Sequence, residues 1–450
     1  MRLPLAICLS AAAGLISASS AAAGSLDIMS AYALARSSDP AYASAKAGRV
    51  AGEEKDVQGR ALFLPSVGLS AEVRQNQVDN SYTTTPKGFA LQGGSKSYDS
   101  EAIGVSLTQP LYRAQNSSNA SQLTAVSEQS AVALKAAEQD LILRVAQAYF
   151  DILFAEDSVK FIASYKQAIS EQLAQARRSF ELGAATITDT HEAQARNDLA
   201  AAQEIAVRND LAVKKDSLRR VIGVLPDSVA PLADNAPLER ADISDEGKWI
   251  ATAEKESPLV KSQRLILSIA QYEAEKSQAG HYPTLDAIAS YSYSRASDGS
   301  LGAGTATTAA IIGAQLAVPL YQGGSVSSKA REAAALEVKA QSDLEAVMRQ
   351  ARSQVTATFV GVKNGLAQAD ALRQAVASSQ KALDSTRKGF EVGVRTSVDV
   401  LNAQQQLHAA RRDHAQARYN YILSVLRLKA SAGILDDKDA EWVNSLLAKN

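Results

Sequence analysis

The sequence predicts an internally duplicated α+β membrane protein: four β-strands per chain join a barrel shared between copies, and long coiled-coil helices extend from it as a tube. Three observations carry that expectation. A turn motif occurs twice, FELGAATITD at 180–189 and FEVGVRTSVD at 390–399, with an offset of 210 positions. It is embedded in long proline-free runs rich in Ala, Gln, Leu, Arg and Glu. Ahead of each run lie two segments that alternate apolar with small or polar residues, at about the 10-residue length of a tilted strand crossing a bilayer.

Composition narrows the function classes. The 450 residues carry 47 basic against 48 acidic side chains, so no global field selects nucleic acid or an acidic partner. Aromatic residues make up 5%, too few for base-stacking surfaces, and alanine supplies much of the 46% hydrophobic content. Residues 1–23 read as a cleavable signal peptide, with one Arg, an apolar run and Ala21-Ala22-Ala23 before Gly24. The single cysteine, Cys8, falls inside it, so the exported chain has no disulfide and depends on packing and assembly. No later stretch approaches the ~20 apolar residues of a membrane helix.

Landmarks pair the halves throughout. Pro40 answers Pro258 and Pro65 answers Pro283, each 218 positions on; Pro110 answers Pro319, 209 on. The difference, 218 − 209, places nine extra residues in the first half, expected as a loop insertion between 66 and 109. Residues 24–224 are the first repeat: a helix from Asp39, strands at 66–75 and 101–109, a long helix at 113–182 and a shorter one at 187–223. Residues 258–433 repeat that order, with strands at 284–294 and 310–318 and helices at 323–392 and 397–433. The proline-rich stretch 225–257 is an equatorial linker and 434–450 a C-terminal tail, where Trp249 and Trp442 seed local cores.

Each element has its own signal. Val67, Leu69, Ala71 and Val73 alternate with Gly68, Ser70, Glu72 and Arg74, and Ile103, Val105 and Leu107 with Gly104, Ser106 and Thr108. The second half follows with Leu285, Ala287, Ala289, Tyr291, Ile312, Ala314 and Leu316, although Ile288 and Ile311 break the alternation. In the first long helix, steps of four and three from Leu141 reach Val145, Ile152, Ile162, Ile169, Leu173 and Phe180, a coiled-coil seam with only Lys166 polar. The second seam, from Ala351 through Val355, Val362 and Ala369 to Leu383 and Phe390, uses smaller residues and suits a close-packed wall. In the turns, Gly183 and Gly393 are left-handed helix stops, and Thr186 and Thr396 cap the next helices with Asp189 and Asp399 at their positive ends.

Sheet closure then sets the assembly. A sheet in lipid cannot leave an edge unpaired, and four strands cannot close. Two chains would make about eight strands, a barrel filled by its own side chains, whereas three make about twelve and leave a watery lumen. Pro65, Pro110, Pro283 and Pro319 stand at helix ends and are expected to be the hinges between barrel and helices.

At this point the chain resembles the TolC-like outer membrane factor family over its mature length. PLYQGG at 319–324, FEVGVRTSVDVLNA at 390–403 and ARYNYILSVLRLKASAGIL at 417–435 carry the resemblance. It implies a homotrimer with a 12-stranded β-barrel in the outer membrane of a Gram-negative bacterium and an α-barrel across the periplasm. It also implies docking with a periplasmic adaptor, or membrane fusion protein, and an inner-membrane transporter of ABC, RND or MFS type. The chain would be the passive exit duct of an efflux pump or a type I secretion system. By motif position the resemblance places gate links on Thr188, Asp189, Phe390 and Arg395, and the pore constriction on Asp399 and Asn402. Tip turns for adaptor docking fall on Gly183, Thr186, Gly393 and Thr396. Phe390 departs from a tyrosine and Asn402 from a second aspartate, which predicts one fewer hydroxyl link and a less acidic ring.

Enzymatic readings find no support. His191, His281, His408 and His414 lack the spacing for a metal pair on one helix face, and no phosphate loop or nucleophile elbow occurs. No catalytic residue, metal or cofactor is expected, and no nucleic-acid partner. The alternative class is a trimeric coiled-coil surface adhesin or structural spacer without transport. Adhesins place one barrel segment at the chain end, whereas here a strand pair interrupts each half.

Overall fold

The computed structural model describes residues 25–81, 94–183, 185–233, 236–238, 245–298 and 303–448. The expected signal peptide lies outside them. The chain opens with a helix absent from the sequence reading, α1 (Ile28–Ser38), capped by Asp27. Asp39 starts α2 (Pro40–Ala61) by accepting the Tyr42 amide at 2.8 Å, with Pro40 in the first turn.

Strands β1 (Ser66–Asn80) and β2 (Gly94–Arg113) follow, then the long helix α3 (Ala114–Glu181) and α4 (Ile187–Ile222). The second half runs α5 (Glu246–Glu256), α6 (Pro258–Gln278), β3 (Thr284–Ala296), β4 (Thr305–Ala317), α7 (Ser325–Glu391), α8 (Ser397–Ser431) and α9 (Asp437–Ser445). The strands form one antiparallel sheet in the order β1-β2-β3-β4, so the two halves meet at the β2–β3 ladder. Among the described residues no helix is long and apolar enough to cross a membrane.

The register separates the sheet's faces. Leu69 pairs with Val105, Val105 with Tyr291, and Tyr291 with Ala310, so apolar residues run in rows across one face. Ser70, Gly104, Ser292 and Ala309 make the matching row on the other. Ile288, opposite Thr108 and Gly313, and Ile311, opposite Ser290, lie on the face of small residues, as does Val78, opposite Lys96. Ile312, on the apolar face, is 91% exposed. Both outer strands keep one unpaired edge within the chain.

The structure departs from the expected loop insertion and from the expected place of Pro110. The surplus of the first half is not confined to a loop, because β1 and β2 have 15 and 20 residues against 13 in each of β3 and β4. Extending the ladder pairs backbone groups that a loop would leave to solvent. Pro110 is not at a helix end but inside β2, where the register slips between Pro110 and Tyr112. Proline lacks the amide for the ladder, so it is tolerated at such an irregularity. Pro65 and Pro283 do stand immediately before β1 and β3, and Pro319 lies in the link from β4 to α7.

At 68 and 67 residues, α3 and α7 each span about 100 Å. The main core sits midway along the helices, where Tyr149, Phe150 and Ile152 of α3 meet Tyr32, Ile222, Ile422, Leu426 and Val443. The Tyr149 hydroxyl donates to the Leu26 and Ala230 carbonyls, both at 2.9 Å, tying the N-terminal segment and the linker to α3. Trp249 packs against a second cluster with Val355, Phe359, Val362 and Tyr421, and Trp442 packs against both that cluster and the main core, so neither seeds a core of its own.

Candidate functional site at the paired helical tips

The two helical turns are built alike. Beyond α3, Gly183 takes φ +73° and its amide reaches the Phe180 carbonyl at 2.9 Å; beyond α7, Gly393 takes φ +80° and reaches the Phe390 carbonyl at 3.1 Å. A side chain is strained in that left-handed region, which is why glycine stops both helices. Thr186 caps α4 and Thr396 caps α8. In each case the threonine hydroxyl accepts the amide three residues on at 3.2 Å, while Asp189 or Asp399 accepts the threonine amide at 3.1 or 2.9 Å. The Thr396 amide and hydroxyl hold the Asp399 carboxyl below the usual carboxylate range, so it is anionic at neutral pH.

Other predicted tip residues separate. Thr188 is exposed on the first turn of α4. Phe390 packs with Leu383, Val400 and Leu407, inside the α7–α8 hairpin. The Arg395 side chain lies over Gly389, where an added Cβ would meet its Cγ at 2.7 Å. Among the described residues Arg395 makes no ion pair with Asp189 or any other carboxylate of its own chain.

Contacts that sequence reasoning missed join the two hairpins. Leu401 of α8 is fully buried among Ile169, Leu173 and Ala176 of α3 and Ala193 of α4. The buried Gln172 amide donates to the Ser397 hydroxyl at 3.3 Å. Arg196 of α4 donates to Asn402 Oδ1 and Gln405 Oε1, both at 2.9 Å. Further up, Tyr165 stacks on His408 at 5.0 Å beside a cleft of ≈ 210 Å³ between α3, α7 and α8. Burial pushes the His408 imidazole below its ordinary value. Arg196 is seven residues after Asp189 and Asn402 three after Asp399, but neither spacing says which helix faces meet.

A second missed contact braces the sheet–helix junction. Arg113, the last residue of β2, makes a bidentate pair with Asp286 of β3 at 2.8 and 2.7 Å. The corresponding link in the second half turns at Gly323 and Gly324, with φ +62° and +78°, and leaves Leu320 92% exposed. Among the described residues no group of His, Cys, Asp and Glu is suited to hold a metal ion.

The family model described as outer membrane efflux protein matches residues 31–224 and 249–434. Outer membrane protein TolC of Vibrio cholerae is 31% identical over 413 residues, covering 91% of this chain and 91% of its own. Alkaline protease secretion protein AprF of Pseudomonas aeruginosa is 31% identical, covering 91% of this chain and 85% of its own. The crystal structure of outer membrane protein VceC from Vibrio cholerae superposes with a TM-score of 0.76 at 17% identity, covering 90% of this chain and 96% of that one. That last likeness concerns the fold.

Proposed function

The chain belongs to the outer membrane efflux protein family, and from that premise we propose how its one sheet and two tips work together as a conduit. It is an outer-membrane channel of the efflux and type I secretion class. One observation carries the assembly: a four-stranded antiparallel sheet with an apolar face and two open edges, attached to helices of 68 and 67 residues. In a closed meander β4 of one copy lies antiparallel to β1 of the next, so an even number of strands closes without a mismatch. Three copies give about twelve strands and a hydrated lumen. The apolar rows then face lipid, and the rows of Ser, Gly and Ala face water.

The helices of the homotrimer cross the periplasm as an α-barrel and end at the tips. There Arg395 of one copy reaches Thr188 and Asp189 of a neighbour, and three Asp399 carboxylates line the constriction. Exposed turns around Gly183, Thr186, Gly393 and Thr396 meet a periplasmic adaptor, behind which an inner-membrane transporter supplies energy. The duct itself carries out no chemical step. The adhesin alternative is not favoured, since a hairpin of strands interrupts each half rather than ending the chain.

Detergent-extracted protein should have the mass of three copies and conduct ions across a planar bilayer. A monomeric, non-conducting product would overturn this reading.

A further inference from the structure

We infer that Arg196 is a clamp between the two hairpins of one chain, and that Asn402 belongs to this clamp rather than to the lumen wall. The inference rests on the channel reading above. Arg196 is largely covered, with 22% of its side chain exposed. It is held on its own helix by Glu192 Oε1 at 3.2 Å, and its two terminal nitrogens reach two acceptors on α8, Asn402 Oδ1 and Gln405 Oε1. Those acceptors are three residues apart, so they share one face of α8. A planar guanidinium can hold both at once in a way that an ammonium cannot.

The clamp sits where the hairpins have little else polar to hold them. Below it are the Leu401 contact and the Gln172–Ser397 hydrogen bond. Arg395, by contrast, makes no close ion pair within its own chain among the described residues, although its charge helps to lower the Asp399 value. Separating the α7–α8 tip from the α3–α4 tip therefore exposes Leu401 and breaks both Arg196 bonds. Position 402 is a neutral amide whose carbonyl oxygen is taken up by Arg196, so the constriction has a single acidic layer, at Asp399.

Charge at position 402 separates this inference from a lumen role. Asn402→Asp would turn a neutral acceptor into an ion-pair partner of Arg196, tightening closure. A carboxylate facing the lumen would instead add cation selectivity whatever stands at 196.

The test uses full-length trimers in planar bilayers. Arg196→Ala is expected to raise the open-to-closed ratio roughly tenfold, the factor associated with hydrogen bonds to a charged group. Arg196→Lys should fall between it and the parent. Asn402→Asp should lower resting conductance below the parent, and that effect should vanish in the Arg196→Ala background. A gain in cation selectivity from Asn402→Asp, equal with and without Arg196, would overturn the clamp. A second readout does not need conductance: spin labels on the exposed faces of α4 and α8 near the tips, where the exported chain has no cysteine of its own. Arg196→Ala should broaden that distance distribution, and an unchanged distribution would likewise overturn the inference. A parent protein that never conducts would sink the channel reading, while the label distances still decide the clamp.

Discussion

The two long helices differ by one residue in length and occupy equivalent places in a duplicated chain, yet they pack differently. Helix α3 buries Leu141, Tyr149, Phe150, Ile152, Ile162 and Ile169, whereas α7 buries Ala333, Ala340, Ala351 and Ala369 along with few large residues. Large side chains on α3 organise the chain's own core. Small ones on α7 allow helices to approach closely. Duplication thus supplied two copies of one scaffold, and divergence made one a spine and the other a wall.

The largest effect that could break this comparison is expected in the spine. Phe150 is 1% exposed and packs against Tyr149 and Tyr419, with ring centroids 6.0 and 5.6 Å away. Phe150→Ala should cost about 3–5 kcal/mol in urea denaturation. In the wall the damaging change is the opposite one, and Ala351→Leu should cost about 1–3 kcal/mol by overpacking. Equal tolerance of both substitutions would mean that the two helices do the same work.

At the tips the same contrast becomes functional. Arg395→Ser should raise resting conductance several-fold in single-channel records, because the second turn carries a cation that the first lacks. Asp399→Ala should lower cation selectivity and block by divalent ions. Asp189→Ala removes the equivalent capping-box carboxylate at the start of α4, at a cost of about 0.5–2 kcal/mol, and should leave selectivity unchanged. If both aspartates change selectivity alike, the constriction is not confined to the α7–α8 hairpins.

The smallest effect concerns pH. Burial lowers the His408 value in the folded chain, so on acidification the unfolded chain binds its proton first. Stability from neutral His408 is complete above the ordinary value of about 6.5 and is lost as pH falls below it toward the folded value. Thermal melts of parent and His408→Gln should differ in slope across that range and nowhere above it.

Much of this architecture was legible in the chain itself. The capping boxes at Thr186 and Thr396 and the glycine stops depend on residues within a few positions of one another, and local chemistry decides them. The seam from Leu141 to Ala176 follows from helical periodicity, and the sheet's two faces from strand alternation. Helix α1 is not legible in the sequence because it is short and its buried residues, Ile28, Ala31, Tyr32 and Ala35, find their partners largely on distant helices such as α3, α4 and α9. Pro110 was misplaced because a proline usually marks an element's end, and only a paired neighbour shows that it occupies a slip in a continuing ladder.

What the sequence by itself determined, then, is the repeat, the order of its elements, the stops and caps, and the faces that are apolar. Tertiary structure alone decided which faces meet: Arg196 on Asn402 and Gln405, Arg113 on Asp286, and Leu401 among the residues of the other hairpin. The division has a physical origin. Caps and periodicities act over one or two turns of backbone, while contacts between residues about two hundred positions apart depend on how whole helices rotate against each other, and many side chains share in setting that rotation.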